Sequence, residues 1–241
     1  MAHRYYVDEL KDGRAYVRGG EASHLARVMR AREGDTLTVS DREGHDYTAR
    51  ILSASPDEVE LEILSVSGNP ADPKKRLTVY MALPKADKLE MIVQKCCELG
   101  AARVIPFESR YCVAQKSKRD DAKRSRLQKI ADEACKQCGR SRPMEVGATL
   151  TFPGMLKELR KHEAKILFYE KGTHPLTEAG LSGRSDVAII IGSEGGFSEE
   201  EAGKMTDAGA VSVVLGARIL RCETAAIAAA AMTMLLMGEM E

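Results

Sequence analysis

No apolar run in these 241 residues is long enough to cross a bilayer; the longest, Ala225 to Met237, is too short. The opening residues, Met1 to Tyr6, include histidine, arginine and two tyrosines and lack the apolar core of a secretion signal. Both absences lead to the expectation of a cytoplasmic protein without a membrane segment. Metal-binding patterns are equally scarce. Six cysteines are irregularly placed, only Cys135 and Cys138 form a CxxC pair, and the five histidines (His3, His24, His45, His162, His174) are scattered. A zinc site would need a second pair or histidines at ligand spacing, so no metal is expected and the pair reads as two small, partly buried side chains. Neither GxGxxG nor a Walker A sequence is present, and no internal repeat is evident.

The chain carries no net charge, but its charges are not spread evenly. Residues 1–72 have 9 basic against 14 acidic side chains, 73–165 have 22 against 11, and 166–241 have 5 against 11. Ten basic and four acidic residues fall between Lys116 and Arg142. That density suits a surface facing a polyanion, although a solvated helix face would look the same.

The first seventy residues read as short strands, Ala15 to Val17, Thr36 to Ser40, Asp46 to Leu52 and Val59 to Val66, separated by turn signals: a small β-barrel pattern. One helix from Glu21 to Arg30 interrupts them, with His24, Arg27 and Arg30 expected on one face and Leu25, Val28 and Met29 on the other. Two prolines and a glycine between Gly68 and Pro73 mark a linker, which divides the chain into 1–72 and 73–241. Beyond it strands and helices alternate: Leu77 to Ala82, helix Lys88 to Glu98, Ala102 to Pro106, helix Arg124 to Gln137, Ala164 to Tyr169, Val187 to Ile191, helix Ser198 to Ala208, Val211 to Leu215, helix Thr224 to Met237. The pattern predicts an α/β unit, a parallel sheet with helices on both faces.

Two loops stand out. The apolar strand Val187 to Ile191 runs into Gly192-Ser-Glu-Gly-Gly-Phe-Ser198, where glycines at a strand's carboxyl end allow close approach to a ligand. Ser198 with Glu201 forms a capping box for the next helix. The following strand leads into Gly216-Ala-Arg-Ile-Leu-Arg221 and then Cys222-Glu-Thr-Ala225, ahead of an alanine-rich helix. Together they predict facing walls of a cleft.

These paired motifs resemble the cofactor loops of the RsmE family, within the SPOUT superfamily of RNA methyltransferases. The likeness extends to His24-Leu-Ala-Arg-Val-Met-Arg30, Gln94-Lys-Cys-Cys-Glu-Leu-Gly100 and Glu133-Ala-Cys-Lys-Gln-Cys-Gly-Arg140. Ser193 departs from it, standing where the family usually has proline.

The resemblance implies a PUA-like RNA-binding barrel over 1–72 and a methyltransferase domain over 73–241 whose C-terminal segment is threaded into a trefoil knot. It further implies a homodimer that uses S-adenosylmethionine, without metal, to methylate N3 of a uridine in 16S rRNA of the small ribosomal subunit. The cofactor residues would be Tyr169, Glu170, Gly192, Ser193, Glu194, Gly195, Gly196, Leu215, Gly216, Ile219, Leu220, Thr224 and Ala225. Arg221 is the expected stabiliser of charge on the uracil oxygens, because a guanidinium keeps its charge and offers a fork of donors. Glu194 and Glu223 are the carboxylates that could orient the cofactor or accept the proton; a helix N-terminal role would equally explain Glu223. His24, Arg27, Arg30, Arg110, Arg140 and Arg142 are the expected RNA contacts. The competing readings are another SPOUT enzyme acting on tRNA or on a ribose 2′-oxygen, and a non-catalytic RNA-binding assembly factor.

Overall fold

The computed structural model describes residues 4–85, 87–113 and 120–240. The chain forms two compact units, Met1–Asp72 with Cys135–Pro143, and Pro73–Ala134 with Met144–Glu241. Of the basic run noted above, Lys116, Lys118 and Arg119 lie outside the described residues.

The first unit contains β1 (Tyr5–Tyr6), β2 (Glu9–Lys11), β3 (Arg14–Arg18), α1 (Gly19–Ser23), β4 (Thr36–Ser40), β5 (His45–Ala54) and β6 (Glu58–Gly68). They form one sheet in the order β1-β4-β5-β6-β3-β2, antiparallel except for β1 with β4. The short stretch from β1 to β2 serves both edges: Val7 N–H donates to Ser40 at 3.0 Å and Asp8 N–H to Tyr16 at 2.8 Å. The sheet therefore curls around a core in which alternate residues point inward, Ala15 and Val17, Ala49 and Ile51, Val59 and Leu61.

The helix expected over Glu21 to Arg30 needs correction. It begins at Gly19, and His24–Val28 is a π-helix in which Met29 N–H reaches the His24 carbonyl. In an α-helix Val28 and Met29 would lie over Leu25. The wider turn breaks that spacing: Leu25 is buried, whereas Val28 is 65% and Met29 45% exposed.

The segment Cys135–Pro143 is held to this unit by specific bonds. The Asp72 carboxylate accepts from the backbone N–H groups of Ser141 and Arg142, each at 3.0 Å. Asn69 Nδ2 donates to the Gly139 carbonyl at 2.9 Å. Cys135 is buried, and the Cys138 thiol donates to its carbonyl.

In the second unit the elements are β7 (Arg76–Ala82), α2 (Lys88–Glu98), β8 (Arg103–Phe107), α3 (Asp120–Cys138, whose last turn belongs to the first unit), β9 (Glu145–Val146), α4 (Phe152–Leu159), β10 (Ala164–Phe168), β11 (His174–Pro175), β12 (Asp186–Ile191), α5 (Glu199–Asp207), β13 (Val211–Val214) and α6 (Cys222–Leu236). All seven strands are parallel, in the order β11-β13-β10-β12-β7-β8-β9. Tyr80, Phe107, Leu167, Ala188 and Ile190 join one core with Met155 and Leu159 of α4 and Ala202 and Met205 of α5. The other face carries α6, which packs on β7, β12 and α2. Burial on both faces explains the unbroken apolar run of β12. Helix α4 is an addition to the predicted elements, although its cap is ordinary: Thr151 accepts from Gly154 N–H, and a proline sits in the first turn.

Candidate active site

Strands β13, β10 and β12 are neighbours, and their carboxyl ends open onto a cavity of about 760 Å³. In an open parallel sheet that end is where ligands bind. Twelve of the thirteen residues expected to hold a cofactor line it: Tyr169, Glu170, Gly192, Ser193, Glu194, Gly195, Gly196, Leu215, Gly216, Ile219, Leu220 and Ala225. Thr224 is exposed and is not among the lining residues. Phe168, Ile191, Phe197, Val214, Ala217, Arg218 and Cys222 complete the wall, none of them among the residues expected to hold the cofactor.

The glycines of the loop after β12 are there because space is short. A Cβ on Gly195 would lie 2.6 Å from the Tyr111 Cβ, and one on Gly192 3.2 Å from the Gly196 Cα. Gly196 closes a turn by donating its N–H to Ser193 at 3.0 Å and takes a positive φ of 64°. Past the loop, the Ser198–Glu201 capping box forms as expected. The same Glu201 carboxylate accepts the Arg110 N–H at 2.7 Å, which ties the segment carrying Tyr111 to α5.

Beside the cavity lies a cluster of charges. Lys88 Nζ stands 2.9 Å from Glu194 and 3.1 Å from Glu223, so one ammonium joins both loops. Burial pushes the Glu194 carboxyl up, but the hydrogen bond from Lys88 and backbone donors outweigh it and hold it below its ordinary value. Glu223 is lowered first by its own N–H in the first turn of α6 and also by Lys88, so its helix-terminal role and its place in the cluster coincide. Lys88 is raised by the two carboxylates. The Cys222 thiol donates to Glu223 at 3.3 Å, and burial with that carboxylate pushes it up to about 12. The sequence pattern marks Lys88 only as the start of α2, yet it carries a signal for this role. A lysine at the first position of a helix opposes the macrodipole and calls for an anionic partner.

Arg221 caps α6 between Leu220 and Cys222, which both line the cavity. Its side chain is exposed, and its guanidinium has no hydrogen bond or ion pair among the described residues. The expected RNA contacts divide. Arg27 and Arg30 are exposed, while His24 is half-buried with Nδ1 3.1 Å from the Tyr5 hydroxyl. Arg140 is only 4% exposed, with its guanidinium facing Asp72, so burial removes it from the accessible cations. Arg142 is exposed but donates to the Glu43 carbonyl at 2.9 Å, and Arg110 lies 3.5 Å from Glu200. Among the described residues no helix is long and apolar enough to cross a membrane, and no group of three His, Cys, Asp or Glu side chains could hold a metal.

Residues 71–234 match the family model of the RNA methyltransferase domain, and 17–64 that of the RNA methyltransferase PUA domain. The chain is 30% identical over 235 residues to a ribosomal RNA small subunit methyltransferase E of Bacillus subtilis, covering 92% of each. The chain belongs to this family. Its members are enzymes that methylate small-subunit rRNA, and the two-part architecture follows the same plan. A family member from Neisseria gonorrhoeae, solved bound to S-adenosylmethionine, superposes with a TM-score of 0.86 at 26% identity over 98% of both chains. A methyltransferase from Legionella pneumophila in complex with the same cofactor gives 0.86 at 28% identity, again over 98% of both.

Proposed function

We propose that this protein transfers the methyl group of S-adenosylmethionine to N3 of a uridine in 16S rRNA, working in the cytoplasm as a homodimer on the assembled small subunit. The observation that carries this reading is the cavity that both glycine loops build at the carboxyl ends of β10, β12 and β13. Its volume falls in the range of small-molecule sites, roughly 300–1,000 Å³. Its lining combines close-approach glycines, apolar Ile191, Phe168 and Leu220, and the carboxylates of Glu170 and Glu194. These suit a ligand with an adenine ring and cationic sulfonium and ammonium groups. The Ser193 hydroxyl supports the same fit: it is buried and has no partner among the described residues, so a bound ligand can accept its hydrogen bond.

Bound there, S-adenosylmethionine supplies an electrophilic methyl group and needs no metal. The chain's own part is to hold the uracil so that N3 faces the donor as its proton passes to solvent water and charge builds on the ring oxygens. Arg221, exposed beside the lining residues and unpaired among the described residues, suits the stabilisation of that charge. Glu194 and Glu223 are poorly suited as bases, since Lys88 lowers the proton affinity of both; their assigned work is to hold the loops through Lys88, while the lining carboxylates Glu170 and Glu194 face the cofactor's cations. The homodimer is supported by the outer face of α6, where Met232 and Leu235, three residues apart, are 41% and 52% exposed. The trefoil knot of the C-terminal segment belongs to this reading as part of the resemblance.

The test uses purified protein, methyl-labelled S-adenosylmethionine and small subunits lacking the modification. Label should enter 16S rRNA, and mass spectrometry of the digested RNA should find it on uracil N3. Label on a ribose oxygen, or in tRNA alone, would overturn the assignment.

A further inference from the structure

The N-terminal unit carries a feature that the cavity does not explain. At the π-turn of residues 24–28 the two large apolar side chains Val28 and Met29 face solvent, 65% and 45% exposed. Arg27, Arg30 and Arg32 flank them along the chain, all three exposed and without an ion pair among the described residues. These bare cations cluster on a stretch, residues 1–72, that is otherwise acidic. The backbone is unusual at the same place. A π-turn is rare and concentrates at functional sites, and it is this turn that lifts Val28 and Met29 off the core face of Leu25. The next residue, Arg30, takes a positive φ of 53°, a conformation that costs a non-glycine residue energy and persists where function uses it.

We infer that Val28 and Met29 form an apolar wedge that seats against bases of the substrate RNA while Arg27 and Arg30 grip the flanking phosphates; the inference rests on the rRNA reading above. Apolar side chains between cationic ones match nucleic acid in both respects, since bases offer flat apolar faces and phosphates offer charge. In RNA such faces are open at loops, bulges and distorted stems. A second copy of this chain fits the patch poorly, because a two-fold contact would set the same arginines against one another.

The full-length protein tests this with two double variants and one photoprobe, each assayed on small subunits lacking the modification. Val28→Ser with Met29→Ser should weaken binding about tenfold while the slope of affinity against salt stays constant. Arg27→Gln with Arg30→Gln should weaken binding and lower that slope by about two. Thermal stability and S-adenosylmethionine affinity should not change in either. With p-benzoylphenylalanine at position 28, irradiation should crosslink the protein to rRNA. Unchanged affinity in the serine variant overturns the wedge, and so does a crosslink to a ribosomal protein alone. If the wild-type enzyme binds these subunits but leaves them unmethylated, the functional reading fails while the wedge can still be scored by the same crosslink.

Discussion

The Lys88 ammonium sits 2.9 Å from the Glu194 carboxylate and so fastens the loop after β12 to the first turn of α2. Glu223 shares the same ammonium from the start of α6. Removing the cation would leave two carboxylates facing each other at the cavity. Lys88→Met should therefore weaken S-adenosylmethionine binding about tenfold by calorimetry. The pH dependence has a definite sign. Because Glu194 and Glu223 are held below their ordinary values, what they add to stability is complete above the usual carboxylate range, about pH 4.5, and is lost as pH falls through their lowered values. The gap in thermal midpoint between wild type and Lys88→Met should be open at pH 7 and shrink below about pH 4. A gap that is constant with pH would show that the lysine acts by packing alone.

Gly195 is crowded by Tyr111, and a valine there would push the Arg110–Cys112 segment off the loop. We expect Gly195→Val to fold but to lose S-adenosylmethionine affinity by more than about tenfold. Gly203 is the control. It lies inside α5 with nothing within 4 Å of an added Cβ, so Gly203→Ala should stabilise the protein by about 0.5–1 kcal/mol and leave binding alone.

Ser193 should show opposite signs in the free and bound protein. Removing a buried hydroxyl that has no partner among the described residues is neutral or stabilising, so Ser193→Ala should melt no lower than wild type. If the hydroxyl donates to the cofactor, the same variant should bind it about five- to tenfold more weakly. Equal affinity would place Ser193 outside the binding contacts.

Much of this site was legible because its signals are local. The apolar run of β12, the glycines after it and the Ser198–Glu201 box are contiguous, and the structure has each at those residues. The α2 helix keeps both expected bounds, Lys88 and Glu98. What stayed hidden depends on distance or on small register changes. Cys135–Pro143 joins the first unit through Asp72, some seventy residues earlier in the chain. The π-turn adds a single residue to a helical period, which apolar spacing cannot reveal, so Val28 and Met29 read as sharing the face of Leu25. Lys88 acquires its role only when β12 and α6 bring two carboxylates to it.

The dimer proposal can be tested at its exposed strip. Leu235→Glu places a charge beside Met232 on the exposed face of α6, where burial against a second copy would be costly. Light scattering at micromolar concentration should give a dimer mass for wild type and a monomer mass for the variant. A variant that remains dimeric would move the interface to another face.

Arg221 offers the sharpest division between holding RNA and promoting chemistry. Its guanidinium is unpaired among the described residues and exposed, so its loss removes no internal contact, and Arg221→Ala should fold and melt as wild type. If its charge acts on the uracil oxygens as N3 loses its proton, the interaction is strongest in the transition state. The single-turnover rate should then fall about a hundredfold or more, with RNA and cofactor affinities close to wild type. If the arginine only anchors a phosphate, affinity for small subunits falls, its salt dependence drops by about one charge, and the rate at saturation is kept. Single-turnover assays at saturating S-adenosylmethionine over a range of subunit concentrations separate the two results. Loss of affinity with an intact rate would move charge stabilisation away from Arg221.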